Sequence, residues 1–367
     1  MKTKLTDLLN TKFPIVQCGM ASVATTSLVK AVCNAGGLGI LAAAGQSAEE
    51  LRTEICQLKE MTIGKFGVNL VPVAPRFPVH FRVALEEKVP VMCSGLRNPF
   101  TLTKSKKPEG MLYIPTVGSL KQALSVERSG ADAVIVQGWE AGGHASNVSS
   151  MVLIPEVAEN VKIPVIGAGG FCDGKGLAAA LVLGAEGIAM GTRFAITQES
   201  PIPAVLKDVY IKSNTADAVL SAVWDGFPMR VLRGEKMKNY KGWWTHPWDL
   251  PYFFFSAKRA YGASWQEMMA AVKGARLVHA SLPQYLIGME KNRLTIVTGD
   301  IRKGFSPSGQ VVGRIIDIPT CAELMDRIVT EADAVLRKLS TEGPGPRHAL
   351  RAGASRPGPD HHAQCAV

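Results

Sequence analysis

Through the first half of the chain, short apolar runs rich in β-branched residues alternate with longer stretches whose apolar positions recur every three to four residues, and glycine-rich or polar turns separate them. A run that is apolar at every position suits a strand covered on both faces, whereas a period near 3.6 suits a helix burying one stripe. The repeat therefore reads as βα units. Strands are predicted over 14–18, 38–41, 66–70, 89–93, 112–117, 133–137, 164–168 and 187–190, with Val134-Ile135-Val136 and Val165-Ile166 the clearest continuous runs. Helices are predicted over 26–35, 48–61, 119–129 and 174–183, and Ser47 and Ser119 stand where N-caps belong.

Eight parallel strands close into a (β/α)8 TIM barrel, an α/β fold whose working residues sit at the carboxyl ends of the strands. An open doubly wound sheet is the rival, but its phosphate glycines normally follow the first strand, and here they follow the last two. After Phe194 the rhythm changes and aromatics gather at Trp243, Trp244, Trp248, Tyr252 and Phe253 to Phe255. Residues 196–314 are accordingly read as an inserted, mostly helical second domain or lid after the eighth strand of a 1–195 barrel. The aromatic cluster is more often packing or an interface than a substrate cage. A helical period returns near 320–339, with Leu324, Ile328 and Val335 on one side, so a helix over 315–340 should complete the barrel. Residues 341–367, rich in Gly, Pro, Arg and His, are expected to be a disordered tail. Its His361-His362 pair is not read as a functional metal site.

At 367 residues the chain can bury a large core, and that length suits one barrel with an insertion as well as two compact domains. With 47% hydrophobic and 20% charged residues, it should fold as an ordinary globular protein. The most apolar runs, such as 178–184, are far shorter than the ~20 residues of a membrane span. Met1 to Asn10 carry two lysines and no apolar stretch, so no secretory signal and a cytoplasmic address are expected. The seven cysteines include no Cys-x-x-Cys pair, which favours reduced core thiols over disulfides or zinc, and His80, His246 and His279 show no ligand spacing. The net charge of +10 includes five basic residues between Arg230 and Lys241, read as a solvated face, because no nucleic-acid motif accompanies them.

Chemistry concentrates at three turns. Gly167-Ala168-Gly169-Gly170 joins a strand to a helix, so its backbone can approach an anion while the helix N-terminus adds partial positive charge. Met190-Gly191-Thr192-Arg193 follows the neighbouring strand and offers a hydroxyl and an amide to the same anion, where barrels commonly bind phosphate. The third turn is Gln137-Gly138-Trp139-Glu140-Ala141-Gly142-Gly143-His144. Its two glycines, read as flexible, let His144 present an imidazole as a base near neutral pH. Glu140 is either an orienting carboxylate or a turn former. Met20 and Asn69 stand on the same rim, Met20 as a ring-edge contact or a core plug, Asn69 as an amide partner or a turn former.

Taken together, Pro14-Ile-Val-Gln-Cys-Gly-Met20, Gly36-Gly-Leu-Gly39, Phe66-Gly-Val-Asn69, Gln137-Gly-x-Glu-Ala-Gly-Gly-His144, Pro164 through Gly170 and Gly187 through Thr192 resemble the nitronate monooxygenases, formerly called 2-nitropropane dioxygenases. The resemblance implies noncovalent FMN touched by Met20, Asn69, Gln137, Gly142, Gly143, Gly169, Gly170, Ala189, Met190, Gly191 and Thr192, with His144 as the base. It implies oxidation of alkyl nitronates with O2 to a carbonyl compound and nitrite. The same motifs resemble flavin-dependent enoyl-ACP reductases and NADH:quinone reductases, so an NAD(P)H-dependent reductase is the alternative. A barrel binding a phosphorylated ligand without redox chemistry is the third reading. Small-molecule partners are expected, without nucleic acid or membrane, and a homodimer is one candidate assembly.

Overall fold

A computed structural model describes residues 1–72, 74, 76–95, 97–239, 251, 255, 282–302 and 304–341. The anticipated strands form: β1 (Ile15–Gln17), β2 (Leu38–Ala42), β3 (Gly67–Leu70), β4 (Val91–Ser94), β5 (Leu112–Val117), β6 (Val134–Gln137), β8 (Val165–Ala168) and β9 (Gly187–Met190). They pair in parallel in that order, and β9 returns to β1 through Ile188 opposite Ile15, closing the barrel. Strand β7 (Gly143–His144) stands outside this circuit.

The alternation inside each strand explains why both faces are apolar. Val16, Leu38, Ile40, Val91, Ile114, Ile135, Ile166 and Ala189 point into the barrel, with Leu5 and Leu9 of α1 (Lys4–Leu9) packed among them. Ile15, Val134, Val136, Val165, Ile188 and Met190 point outward into the layer beneath the helices. Each strand is thus sandwiched between two apolar layers.

The surrounding helices begin where their caps predict. Helix α3 (Ala48–Met61) opens on a reciprocal capping box between Ser47 and Glu50, and Ser119 caps α6 (Leu120–Arg128) by accepting from the Gln122 amide. Helices α2 (Thr26–Asn34), α4 (Phe77–Glu86), α5 (Pro99–Thr103), α7 (Ser150–Ala158) and α8 (Gly174–Val182) complete the inner ring. Short α9 (Thr192–Ala195) and α10 (Ala204–Lys212) lead away from it, followed later by α11 (Leu282–Thr298). The terminal helix α12 (Cys321–Thr341) docks on the barrel as its periodicity requires, burying Leu324 and Ile328. Its Glu331 carboxylate accepts from the Gly174 amide at 2.8 Å, at the start of α8.

Within 196–314 the described residues add a small antiparallel sheet that the helical pattern did not announce. Strands β10 (Val219–Ser221), β11 (Met229–Arg233) and β12 (Phe305–Pro307) pair in order, and β7 joins β11 with His144 opposite Met229. Trp224, Met229, Val231, Met237 and Phe305 form its core. Burial of a side chain the size of Trp224 contributes about 2–3 kcal/mol, so this small sheet has an anchor of its own.

Several expectations change. Arg230 does not lie on a solvated face: it is 3% exposed and donates to the carbonyls of Ala218 and Trp139, both at 3.0 Å. Arg233, Lys236 and Lys238 are exposed as expected. Of the thiols, Cys33, Cys93, Cys172 and Cys321 are buried, and burial pushes Cys33 up to about 11 and Cys321 up to about 12, which keeps them neutral; Cys56, however, is exposed. Trp243, Trp244, Trp248, Tyr252, Phe253, Phe254, His246, His279 and the 342–367 tail lie outside the described residues. Among the described residues no helix is long and apolar enough to cross a membrane, and no cluster of His, Cys, Asp and Glu is placed to hold a metal.

Candidate active site

Register on the barrel brings the two glycine-rich turns together. Ala168 of β8 lies opposite Ala189 of β9, so the residues that follow, Gly169-Gly170 and Met190-Gly191-Thr192, leave the rim side by side. Gly169 and Gly170 have φ of +96° and +80°, a left-handed turn that favours glycine at both positions. A Cβ on Gly169 would approach the Gly138 backbone to 3.2 Å, so the first turn also packs closely on the loop after β6. Thr192 is buried, and its Oγ1 accepts from the Gly309 amide at 2.9 Å, leaving its own O–H to donate.

That last bond introduces a wall that sequence reasoning did not place. Ser308-Gly309-Gln310 runs between Thr192 and the β6 loop: the Gln310 amide donates to the Glu140 carbonyl at 3.0 Å. A Cβ on Gly142 would meet the Gly309 nitrogen at 2.6 Å. Gly142 therefore serves a close backbone approach and Gly143, at φ +70°, a turn, rather than the flexibility expected of them. The Glu140 carboxylate accepts from the amide and hydroxyl of Ser150, tying the β6 loop to the start of α7.

The other rim candidates meet as neighbours. A Cβ on Gly19 would fall 2.5 Å from the Asn69 Cβ, so Asn69 lies directly on the turn that carries Met20. The Met20 sulfur in turn lies 3.5 Å from the Cβ position of Gly191. Gln137 spends one amide hydrogen on the His144 carbonyl at 2.7 Å. Ala189 faces the barrel interior, whereas the Met190 side chain faces the helix layer and its carbonyl accepts from the Cys18 amide at 3.1 Å, so Met190 presents only backbone to the rim.

His144 stands at the open edge of this group with its side chain 46% exposed, and its Nε2 lies 2.7 Å from Oδ2 of Asp225, whose own side chain is 1% exposed. The Phe227 ring meets the imidazole edge-on at a centroid distance of 5.5 Å. Neither Asp225 nor Phe227 was singled out in the sequence, because both belong to a loop whose only signal is the Asp225-Gly226 turn pair. Arg230 stacks beneath Trp139 at 5.3 Å; burial lowers its pKa, and the Glu140 charge opposes that.

Two glycine-rich turns on adjacent strand ends, the Met20 thioether and Asn69 on the same rim and an exposed imidazole backed by a buried carboxylate define the working rim of a TIM-barrel enzyme. Comparison with known proteins narrows the class. Residues 2–77 and 73–331 match the family described as nitronate monooxygenase, and the chain belongs to this family of flavin-dependent oxidoreductases. Among curated relatives, the (3aS,4S,5R,7aS)-5-hydroxy-7a-methyl-1-oxo-octahydro-1H-indene-4-carboxyl-CoA dehydrogenase of Rhodococcus jostii is 38% identical, covering 92% of this chain and 97% of its own. A probable nitronate monooxygenase of Staphylococcus aureus is 32% identical over 66% of this chain and 82% of its own. Of solved structures, FabK from Thermotoga maritima superposes with a TM-score of 0.76 at 35% identity, covering 93% of this chain and 99% of that one. The nitroalkane oxidase of Streptomyces ansochromogenes gives 0.69 at 26% identity, with coverage of 91% and 99%.

Proposed function

We propose that this chain is an FMN-dependent oxidoreductase of acyl-CoA thioesters, oxidising a hydroxyl group β to the thioester carbonyl with His144 as its base. The observation that carries this reading is the span of the likeness. The Rhodococcus CoA-ester dehydrogenase shares 92% of this chain, hence most of the inserted segment as well as the barrel, against 66% for the Staphylococcus relative. That segment supplies Asp225, Phe227 and Gly309 around the site. The net charge of +10 adds long-range attraction for the phosphates of a CoA ester.

The residues present suit FMN. The Gly169-Gly170 turn, the Gly191 backbone and the Thr192 hydroxyl would hold its phosphate, while Met20, Asn69, Gln137 and Ala189 stand where a ring would pass. When bound, FMN supplies the acceptor for the hydride of the carbinol carbon. His144 takes the hydroxyl proton as the carbon–oxygen double bond forms, and the Gly142–Gly309 contact fixes the loop that carries His144.

A second reading is favoured by the family match and the Staphylococcus relatives: oxidation of alkyl nitronates with O2, the nitronate either binding directly as an anion or being formed in the site when His144 removes the α-proton of a neutral nitroalkane. The test is anaerobic mixing of the flavin-loaded protein with β-hydroxyacyl-CoA, propyl nitronate and NADH in separate experiments. Bleaching of the flavin by the hydroxyacyl-CoA is expected. Bleaching by nitronate alone would replace the thioester reading with the second one, and bleaching by NADH with turnover of an enoyl thioester would replace both with an NAD(P)H-dependent reductase.

A further inference from the structure

We infer that Asp225 is a positioning residue that fixes His144 as its Nε2–H tautomer, leaving Nδ1 as the nitrogen that handles the substrate proton; the inference rests on the reading of His144 as the base. A carboxylate only accepts, so the 2.7 Å approach of Nε2 to Oδ2 requires the hydrogen on Nε2. A neutral imidazole then carries its lone pair on Nδ1.

The carboxylate itself has one orientation. Its second oxygen, Oδ1, accepts from the Phe227 amide at 3.0 Å, and Gly226, at φ +98°, supplies the turn that brings that amide round. On the chain side, Trp224 is buried against Phe305 with ring centroids 5.4 Å apart. On the remaining side α11 presses in through Gly288, where a Cβ would lie 2.8 Å from that of Asp225. The imidazole thus meets a buried, immobilised carboxylate through Nε2 while its side chain stays 46% exposed. The neighbouring charged groups are committed elsewhere: Arg230, on β11 opposite Gly143, to the Ala218 and Trp139 carbonyls, and Glu140 to Ser150. Among the described residues, Asp225 is the charged group that meets the ring.

Asp225→Asn tests this, because one amide oxygen cannot serve both the Phe227 amide and His144. With that oxygen on Phe227, the amide NH2 faces Nε2 and drives the hydrogen to Nδ1. The tautomer is read by nitrogen NMR of flavin-loaded protein labelled with 15N-histidine, with His144→Ala providing the assignment. The wild type should show Nε2–H, and Asp225→Asn should lose it. Turnover should fall roughly 10²-fold or more with KM changed only a few-fold, and Asp225→Glu should recover part of both signals. An Nδ1–H tautomer in the wild type, or an unchanged tautomer in Asp225→Asn, would overturn the inference. Should the tautomers come out as expected while His144→Ala keeps full turnover, the base reading fails and the hold of Asp225 on the ring stands.

Discussion

The Gly309 amide donates to Thr192 Oγ1 at 2.9 Å, so the segment after β12 is fastened to the turn that follows β9. Thr192→Val keeps the shape and removes the acceptor for Gly309 and, with it, the hydroxyl proposed to donate to the FMN phosphate. A hydrogen bond to a charged group is worth about 1.5–3 kcal/mol, so FMN should bind at least roughly tenfold more weakly. Fluorescence titration of the apoprotein measures this. Wild-type affinity in Thr192→Val would remove Thr192 from the cofactor site.

Gly169→Ala forces an L-residue to φ +96° and sets its Cβ 3.2 Å from the Gly138 backbone. The left-handed conformation alone costs about 1–2 kcal/mol, and the contact can relax only by moving the β6 loop. The melting temperature should drop by several degrees, and FMN should be retained less well. A variant as stable as wild type, with unchanged flavin content, would show that the turn tolerates a side chain.

Most of the barrel was legible in the sequence because each strand is buried on both faces, as in Val134-Ile135-Val136, where alternate residues enter two different apolar layers. The caps were legible for the same local reason: Ser47 and Ser119 act within three residues of themselves. What stayed hidden depends on partners far apart in the chain. Asp225 reaches His144 across an antiparallel pairing of β7 with β11, and a two-residue strand leaves no periodic trace. Arg230 looked like one member of a basic run, and only the Ala218 and Trp139 carbonyls show why a guanidinium is buried there. The glycines before His144 were misjudged because sequence cannot distinguish a glycine that bends from one that admits a neighbour such as Gly309.

Asp317 gives the fold an acid-sensitive joint. The Arg327 guanidinium holds its carboxylate below the ordinary aspartate range against the opposing effect of burial, and buried Arg193 adds to the pull at 3.2 Å. A depressed folded-state pKa contributes stability above the unfolded value of roughly 3.9, and that contribution is lost as pH falls through the folded value. Wild type should therefore lose more stability than Asp317→Asn when the pH is lowered from 5 toward 3. The carboxylate is 39% exposed, so the difference will be small. Parallel acid-denaturation curves for the two proteins would deny the link.

Gly288→Ala probes the site from outside it. Its added methyl would fall 2.3 Å from the Trp224 carbonyl oxygen and 2.8 Å from the Asp225 Cβ, so either α11 or the Asp225 loop must shift. The turns proposed to hold the FMN phosphate follow β8 and β9 and need not move with them. Flavin affinity should consequently stay within about twofold of wild type while turnover falls, since small displacements of a catalytic group can cost up to about 10²-fold. Equal losses of flavin and turnover would instead mean that the whole inserted segment has loosened. Undiminished turnover would mean that α11 yields and the His144–Asp225 geometry is held from the Phe227 side alone.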